Sequence, residues 1–307
     1  MRVDAHLHCW TRLHGRIGRD GEVVALGGGR LRVAGREVRG MPAELLDGRA
    51  TAEHALAVFD AHGVDAGVLV QEYLDGEQND YSLELARRHA GRFFVHALPD
   101  FFAPPAQLAA QCHALLDQGF RGLKYCGGHL RGETPLDHPA LMPVHERLQK
   151  EEGFWALDLC EGDEQAIAAE RVLGEFPALR ATIGHFGMPT RGGWPAQLML
   201  ARHPNVRIET GGIVWLYRDE GWPFVRAQGA IAHARDLLGV EKILWGSDWP
   251  RTMCDFSYAE ALGFLAASPL FDAREKELML GGNAASFYSL PAPERPREPL
   301  PPITALG

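Results

Sequence analysis

The sequence predicts a single α/β domain over residues 1–290 with the architecture of a closed (β/α)8 barrel, or TIM barrel. Short apolar runs typical of strands alternate with helical stretches, and the count reaches eight of each. The 307-residue chain is also long enough, since such a barrel needs about 250 residues. A doubly wound open sheet fits the same alternation, but it would not bring the first strand next to the last.

The strands and helices follow one another in a regular order. The eight predicted strands are Val3–His8, Ala66–Gln71, Phe93–Leu98, Gly122–Tyr125, Trp155–Leu159, Ala181–Ile183, Val206–Glu209 and Ile243–Gly246. The eight predicted helices are Thr51–His62, Asn79–His89, Pro105–Gln118, Pro139–Glu152, Asp163–Phe176, Pro195–His203, Pro223–Leu238 and Tyr258–Ala267. Several begin with a helix start signal, such as proline in the first turn. Parallel strands need crossover connections, and these helices supply them.

Two segments lie outside this repeat. Residues 11–50 separate the first strand from its helix, and the runs Glu22–Leu26 and Leu31–Ala34 around a Gly-rich turn predict a β-hairpin. An insertion of this length is typical of a lid or a small subdomain, and it would overhang the end of the first strand. Residues 291–307 are rich in proline and predict an extended C-terminal arm.

Composition limits the classes of protein to which the chain can belong. A formal net charge of −9 argues against a nucleic-acid binder, which normally has a basic face. No apolar run approaches the roughly 18 residues of a membrane span, and Asp4, His6 and His8 interrupt any N-terminal signal peptide. Five cysteines without a CxxC pair predict reduced thiols in a cytoplasmic protein. We expect a protein that acts on a small molecule, either as a monomer or as a homo-oligomer.

Two histidines and an aspartate at opposite ends of the chain are the first candidates for chemistry. His6 and His8 are two positions apart in a strand, so their side chains point to the same face. Asp248 ends the apolar run of the last strand, and a buried carboxylate needs a cation, a donor or a metal. In a closed parallel barrel the carboxyl ends of all strands meet at one face. The three side chains therefore predict a site for a metal or an activated water. The alternative is that the two histidines make local hydrogen bonds and that Asp248 caps the next helix.

Further polar side chains fall at or after predicted strand ends. His185 follows the sixth strand between two glycines and would point into the barrel mouth, unless it is a hydrogen-bonded core histidine. Lys124 is the best candidate to bind a substrate carboxylate, with an ion pair to Asp158 as the alternative. The other candidates for substrate binding are Gln71 at the end of strand two, Asp158 in strand five and the loop arginines Arg191 and Arg251. Asp158 is otherwise a buried hydrogen-bonding acid, and the arginines are otherwise solvated. Asp100 and Glu209 or Thr210 also lie at strand ends.

Five motifs together resemble the amidohydrolase superfamily, and specifically its amidohydrolase-2 branch of lactonases and decarboxylases. They are Val3–His8, Phe120–Tyr125, Ile183–Gly187, Gly246–Pro250 and Gly282–Tyr288. The resemblance implies that His6, His8 and Asp248 bind a divalent metal, with His185 as a further candidate ligand. It also implies that Asp248 is the base for water and that His185 polarises the substrate or transfers a proton.

One departure from the family pattern narrows the expected chemistry. Metal-dependent members of the branch usually carry a metal-binding histidine at the end of strand five, but Phe154–Cys160 contains none. Asp158 or Cys160 could substitute, and a binuclear centre is not expected. We therefore predict one divalent metal, with zinc favoured over manganese and weak or absent binding left open. Lactone hydrolysis is favoured, with decarboxylation of an unsaturated or aromatic acid as the alternative and a non-catalytic binding barrel as the third possibility.

Overall fold

The computed structural model describes residues 1–293, and its eight parallel strands form a barrel. The strands, in chain order, are β1 (Val3–Leu7), β2 (His14–Ile17), β3 (Gly21–Gly27), β4 (Arg30–Val33), β5 (Arg36–Arg39), β6 (Ala66–Leu69), β7 (Phe93–Ala97), β8 (Gly122–Cys126), β9 (Phe154–Asp158), β10 (Arg180–Ile183), β11 (Val206–Glu209) and β12 (Ile243–Leu244). The barrel order is β1-β6-β7-β8-β9-β10-β11-β12. The amide of Ala5 donates to the Trp245 carbonyl at 2.9 Å, and the amide of His8 donates to the Trp249 carbonyl at 2.8 Å. These bonds join the first strand to the last, and the predicted (β/α)8 barrel is confirmed.

All eight predicted helices are present, within a few residues at their ends. The helices are α1 (Ala52–His62), α2 (Asn79–Arg88), α3 (Pro105–Asp117), α4 (Met142–Lys150), α5 (Glu164–Glu175), α6 (Trp194–Leu200), α7 (Ile213–Leu216), α8 (Val225–Leu238), α9 (Tyr258–Ala266), α10 (Ala273–Glu277) and α11 (Asn283–Tyr288). Proline acts as the expected start signal in α3, which begins at Pro105. At the beginning of α1, the Thr51 side chain accepts a hydrogen bond from the His54 amide. Within residues 1–293, no helix is both long and apolar enough to cross a membrane.

Strand β1 contains an irregularity that helps to aim the two histidines. Between its pairings at Asp4 and Leu7, β1 carries one residue more than its partner β6. Side chains alternate along a strand, and one extra residue shifts the alternation to the other face. Ala5 accordingly packs in the inner core of the barrel, while the adjacent His6 also reaches the site at the barrel mouth. His8 then follows on the same side as His6, as the sequence predicts.

The insertion after β1 folds as a four-stranded antiparallel sheet with the order β2-β3-β4-β5. The predicted hairpin is confirmed as β3 and β4, and β2 and β5 extend it on either side. The Arg16 amide donates to the Tyr73 carbonyl at 2.7 Å, so β2 docks on the loop after β6. A lid function for this sheet stays a prediction. Most of the predicted C-terminal arm, residues 294–307, lies outside the described residues.

Candidate active site

The first and last strands of the barrel bring His6, His8 and Asp248 together. Nε2 of His8 lies 3.1 Å from Oδ1 of Asp248, and Nε2 of His6 lies 3.8 Å from the same oxygen. Asp248 follows β12 in the left-handed region, with φ 58°, and its amide donates to the His6 carbonyl at 2.8 Å. Non-glycine residues rarely adopt this conformation, and functional sites often hold one that does. The backbone of β1 therefore helps to hold the aspartate beside its histidines.

A carboxylate lies at the far nitrogen of each histidine. Nδ1 of His6 is 2.8 Å from Oε1 of Glu209, at the end of β11, which leaves Nε2 directed toward Asp248. Nδ1 of His8 is 3.4 Å from Oδ2 of Asp75. Nε2 of His6 has no hydrogen-bond partner among the described residues, although it is buried. Metal-binding histidines are usually oriented in this way by a carboxylate at the other ring nitrogen.

These side chains fit a divalent metal ion. One ligand atom from each of His6, His8 and Asp248 lies within 4.8 Å of the other two, and all three residues are buried. Two imidazole nitrogens and a carboxylate oxygen suit zinc, and they also accept manganese. The predicted ligand His185 lies instead in a second cluster with His6 and Asp158, whose candidate atoms also lie within 4.8 Å of one another.

The second cluster already contains a cation from the protein itself. Lys124, on β8, is fully buried and forms an ion pair with Asp158 at the end of β9. Burial disfavours both charges, but each stabilises the other, so the pKa of Lys124 is raised and that of Asp158 lies well below its usual range. Nε2 of His185 lies 3.4 Å from Asp158, and its Nδ1 lies 2.8 Å from the Gly211 carbonyl oxygen. The ion pair predicted as the alternative role of Lys124 is therefore present.

Burial and neighbouring charges set the protonation of the site. Burial alone would raise the pKa of the Asp248 carboxyl, but the hydrogen bond with His8 and the nearby imidazoles lower it to about 2. Burial would lower the pKa of His185, but the Asp158 carboxylate raises it to about 10. Against the same effect of burial, Asp248 and Asp75 raise the pKa of His8 to about 9. At neutral pH Asp248 is ionised and His185 is protonated, while a metal would have to displace a proton from His8.

Trp215 holds the second oxygen of the aspartate. Its Nε1 donates a hydrogen bond of 2.8 Å to Oδ2 of Asp248, and its ring centroid lies 5.7 Å from that of His185. The sequence indicates only an aromatic wall here, because spacing alone does not reveal that an indole N–H points at a carboxylate. Trp215 thus orients Asp248 and lines the space between Asp248 and His185.

The remaining predicted substrate-binding residues are differently placed. Gln71 is buried, and its amide nitrogen donates to the Asn79 side chain and to the His96 carbonyl, both at 2.8 Å. Its donor group is therefore already used by hydrogen bonds within the protein. Arg251 forms an ion pair with Asp75. Arg191 is exposed on the loop after β10. None of the three presents a free buried group within the described residues, and their substrate-binding roles stay predictions.

Sequence reasoning missed two buried acids. Asp4 accepts hydrogen bonds from the Ser247 amide at 2.8 Å and from the Tyr258 hydroxyl at 2.8 Å, and so braces the turn before Asp248. Simple alternation would place Asp4 on the same face as His6, but the extra residue of β1 separates the two side chains, so the strand pattern does not reveal this contact. Asp75 lies in a loop and precedes a glycine, which indicates only a turn. Its contact with His8 arises from tertiary structure.

Comparison with known proteins identifies the family. The model of the amidohydrolase family matches residues 3–290, so the chain belongs to the amidohydrolase family. This match confirms the resemblance seen in the sequence motifs.

One curated relative and two solved structures are similar over most of the chain. The L-fucono-1,5-lactonase of Burkholderia ambifaria is 27% identical over 249 residues, which cover 75% of this chain and 82% of the relative. A probable 2-pyrone-4,6-dicarboxylic acid hydrolase from Acinetobacter baumannii, with citric acid bound, is 20% identical, with a TM-score of 0.67 and coverage of 94% and 99%. An amidohydrolase from Burkholderia multivorans with bound zinc is 21% identical, with a TM-score of 0.66 and coverage of 95% and 100%. The two structures share the fold of this chain.

Proposed function

We propose that this amidohydrolase opens a lactone ring by direct attack of a water molecule on the ester carbonyl. The observation that carries the proposal is Asp248, a buried and ionised carboxylate between two histidines and an indole N–H. A carboxylate held in this way can accept a proton from water without first losing one of its own. The curated lactonase relative supports the same reaction class.

The side chains suggest an order of steps. Asp248 takes a proton from water as the oxygen attacks the lactone carbonyl. His185, protonated at neutral pH, stabilises the negative charge that develops on the carbonyl oxygen. When the ring C–O bond breaks, the proton held by Asp248 passes to the leaving alkoxide. Trp215 keeps the aspartate aligned throughout.

We propose that His6, His8 and Asp248 hold one divalent metal, with zinc favoured. The orphaned Nε2 of His6 and the carboxylates behind both histidines support this assignment. When bound, the ion supplies a Lewis acid that stabilises developing negative charge. The Lys124–Asp158 ion pair supports a single ion, because an ammonium group already neutralises the carboxylate of the second cluster.

The charge balance favours an uncharged, hydroxyl-bearing lactone over a carboxylated one. Lys124 is paired with Asp158, and Arg251 with Asp75, so within the described site no buried lysine or arginine is left for a substrate anion. A paired lysine and carboxylate still offer a donor and an acceptor side by side, which suits the hydroxyl groups of a sugar-derived ring. Lys124 would then bind a hydroxyl group rather than a carboxylate.

Decarboxylation is the second candidate, and the site gives it less support. Strand β9 ends in Asp158, which is committed to Lys124, so this strand offers no free ligand to complete the metal set expected of a decarboxylase. A decarboxylase would release carbon dioxide, whereas a lactonase releases a hydroxy acid and one proton.

The proposed setting is the cytoplasm, with a small molecule as the only required partner. All five cysteines are free thiols, as a reducing compartment would keep them. The net charge of −9 argues against binding to nucleic acid or to anionic membrane surfaces. Whether the protein assembles as a homo-oligomer is open to direct measurement of its mass in solution.

The test is a panel of lactones assayed by proton release. We expect zinc-loaded protein to hydrolyse neutral aldonolactones with a higher kcat/KM than muconolactone-type lactones that carry a carboxylate. Asp248→Asn should lower kcat by about 10²–10⁴-fold, the usual contribution of a positioned base. Wild-type turnover in this variant would overturn the role of Asp248. Preference for the carboxylated lactones would overturn the substrate class, and carbon dioxide as product would overturn the reaction.

A further inference from the structure

Asp75 connects a proposed metal ligand with the rest of the barrel mouth. It follows β6 and is buried, with 2% of its surface exposed. One carboxylate oxygen forms the ion pair with Arg251, and the other, Oδ2, lies 3.4 Å from Nδ1 of His8. Neither this oxygen nor this nitrogen has a hydrogen-bond partner in the described part of the chain. The two unpartnered atoms therefore face each other.

Arg251 is held on three sides. It lies three residues after Asp248, and its guanidinium pairs with Asp75. Nη1 donates a hydrogen bond of 2.8 Å to the Gly40 carbonyl, just after the last strand of the insertion. The guanidinium carbon also lies 5.1 Å from the ring centroid of Trp10. These contacts fix the side chain between the insertion and the loop after β12, with its charge directed at Asp75.

We propose that Asp75 and Arg251 are a positioning pair for His8, which links the orientation of this metal ligand to the docking of the insertion through Gly40. The inference rests on the metal site of the proposed function and deepens it. Arg251 then acts through Asp75 on His8, and it does not bind the substrate.

The physical reason lies in the cost of an unpaired buried carboxylate. Without Arg251, the buried Asp75 carboxylate would lose the cation that holds it in place, and it would rotate toward water. His8 would then lose the carboxylate oxygen that faces its Nδ1, which would orient the ring so that Nε2 is directed at a bound metal. Arg251 is thus needed for the ligand geometry although it lies outside the ligand set.

The experiment measures zinc affinity of the full, metal-stripped protein by competition with a chelator. We expect Arg251→Met and Asp75→Asn each to raise the zinc dissociation constant about 10–100-fold, as loss of a ligand-orienting partner usually does. Arg251→Lys should restore part of the affinity, because an ammonium can still pair with Asp75. Arg39→Gln is the matched control, since Arg39 also joins the insertion to the barrel, through an exposed pair with Asp255. It should bind zinc as the wild type does.

The outcomes separate this inference from the proposed function. The positioning pair is overturned if Arg251→Met binds zinc as tightly as the wild type. If that variant does not fold, wild-type zinc affinity in both of the single variants Arg251→Lys and Asp75→Asn overturns the pair instead. A rise in KM for carboxylated lactones at unchanged zinc affinity would do the same and would make Arg251 a substrate-binding residue. Loss of zinc affinity in a protein that hydrolyses no lactone would support the pair and overturn the proposed reaction alone. A wild-type protein that binds no zinc overturns the pair and the metal site, while lactone hydrolysis can still stand.

Discussion

His6 contributes a nitrogen to both candidate sets of metal ligands at the barrel mouth, but the side chains around it balance negative charge in two different ways. We call His6, His8 and Asp248 the metal cluster, and Lys124, Asp158 and His185 the lysine cluster. Each contributes side chains to a set of three ligand atoms within 4.8 Å of one another. In the metal cluster the carboxylate faces imidazoles and an indole, whereas in the lysine cluster it faces a buried ammonium. The number of ligand atoms therefore does not distinguish the two clusters: the lysine cluster holds a fixed ammonium group, whereas the metal cluster holds a proton on His8 that a metal can displace.

The largest expected effect comes from removing the cation of the lysine cluster. Lys124→Met leaves the buried Asp158 carboxylate without its ammonium, so we expect the free energy of unfolding to fall by about 3–5 kcal/mol. The double variant Lys124→Met/Asp158→Leu should recover much of this loss, because it removes both charges. Urea unfolding of the wild type, the single variant and the double variant measures these free energies.

A surface pair provides the control for this prediction. Arg88→Met removes the exposed ion pair with Glu84 and should leave the unfolding free energy nearly unchanged. If Lys124→Met were as mild as Arg88→Met, the buried ion pair would not balance the charge of the lysine cluster.

The second expected effect is the pH dependence of zinc binding in the metal cluster. In the free protein His8 has a pKa raised to about 9, and only its neutral form can bind a metal. Below that pKa zinc must displace one proton, so its affinity should fall by about tenfold for each pH unit between 8 and 6. Chelator competition at three pH values gives the slope.

The lysine cluster supplies the comparison for the pH experiment. His185 is also protonated in this range, but its proton belongs to the ion pair with Asp158. His185→Gln should therefore keep both the slope and the affinity of the wild type. A large loss of affinity in this variant would make His185 a metal ligand and would join the two clusters into one site.

The barrel was predictable because its signals are local. Each apolar run and each helix start signal lies within about ten residues, and the order of elements then leaves few topologies. The insertion was only half predicted: its glycine-rich turn indicated β3 and β4, whereas β2 and β5 are only four residues long each and carry little hydrophobic pattern.

The site was predictable only where strand ends dictate position. His6 lies near the end of β1, and His8 and Asp248 follow β1 and β12, so their meeting follows from closure of the barrel. The pairing of Arg251 with Asp75 joins two loops that are 176 residues apart, and no local pattern encodes it. Gln71 lies at a strand end as expected, but its amide holds Asn79 and the backbone of β7. A strand-end position therefore indicates where a side chain lies, and its hydrogen bonds decide whether it is free for a ligand.

The most direct test of the central claim is a single turnover of a neutral aldonolactone in ¹⁸O-labelled water. Attack of an Asp248-activated water on the carbonyl predicts one labelled oxygen in the carboxylate of the hydroxy acid and none in its new hydroxyl group. Mass spectrometry of the product distinguishes the two positions. Label in the hydroxyl group, or release of carbon dioxide, would contradict the account.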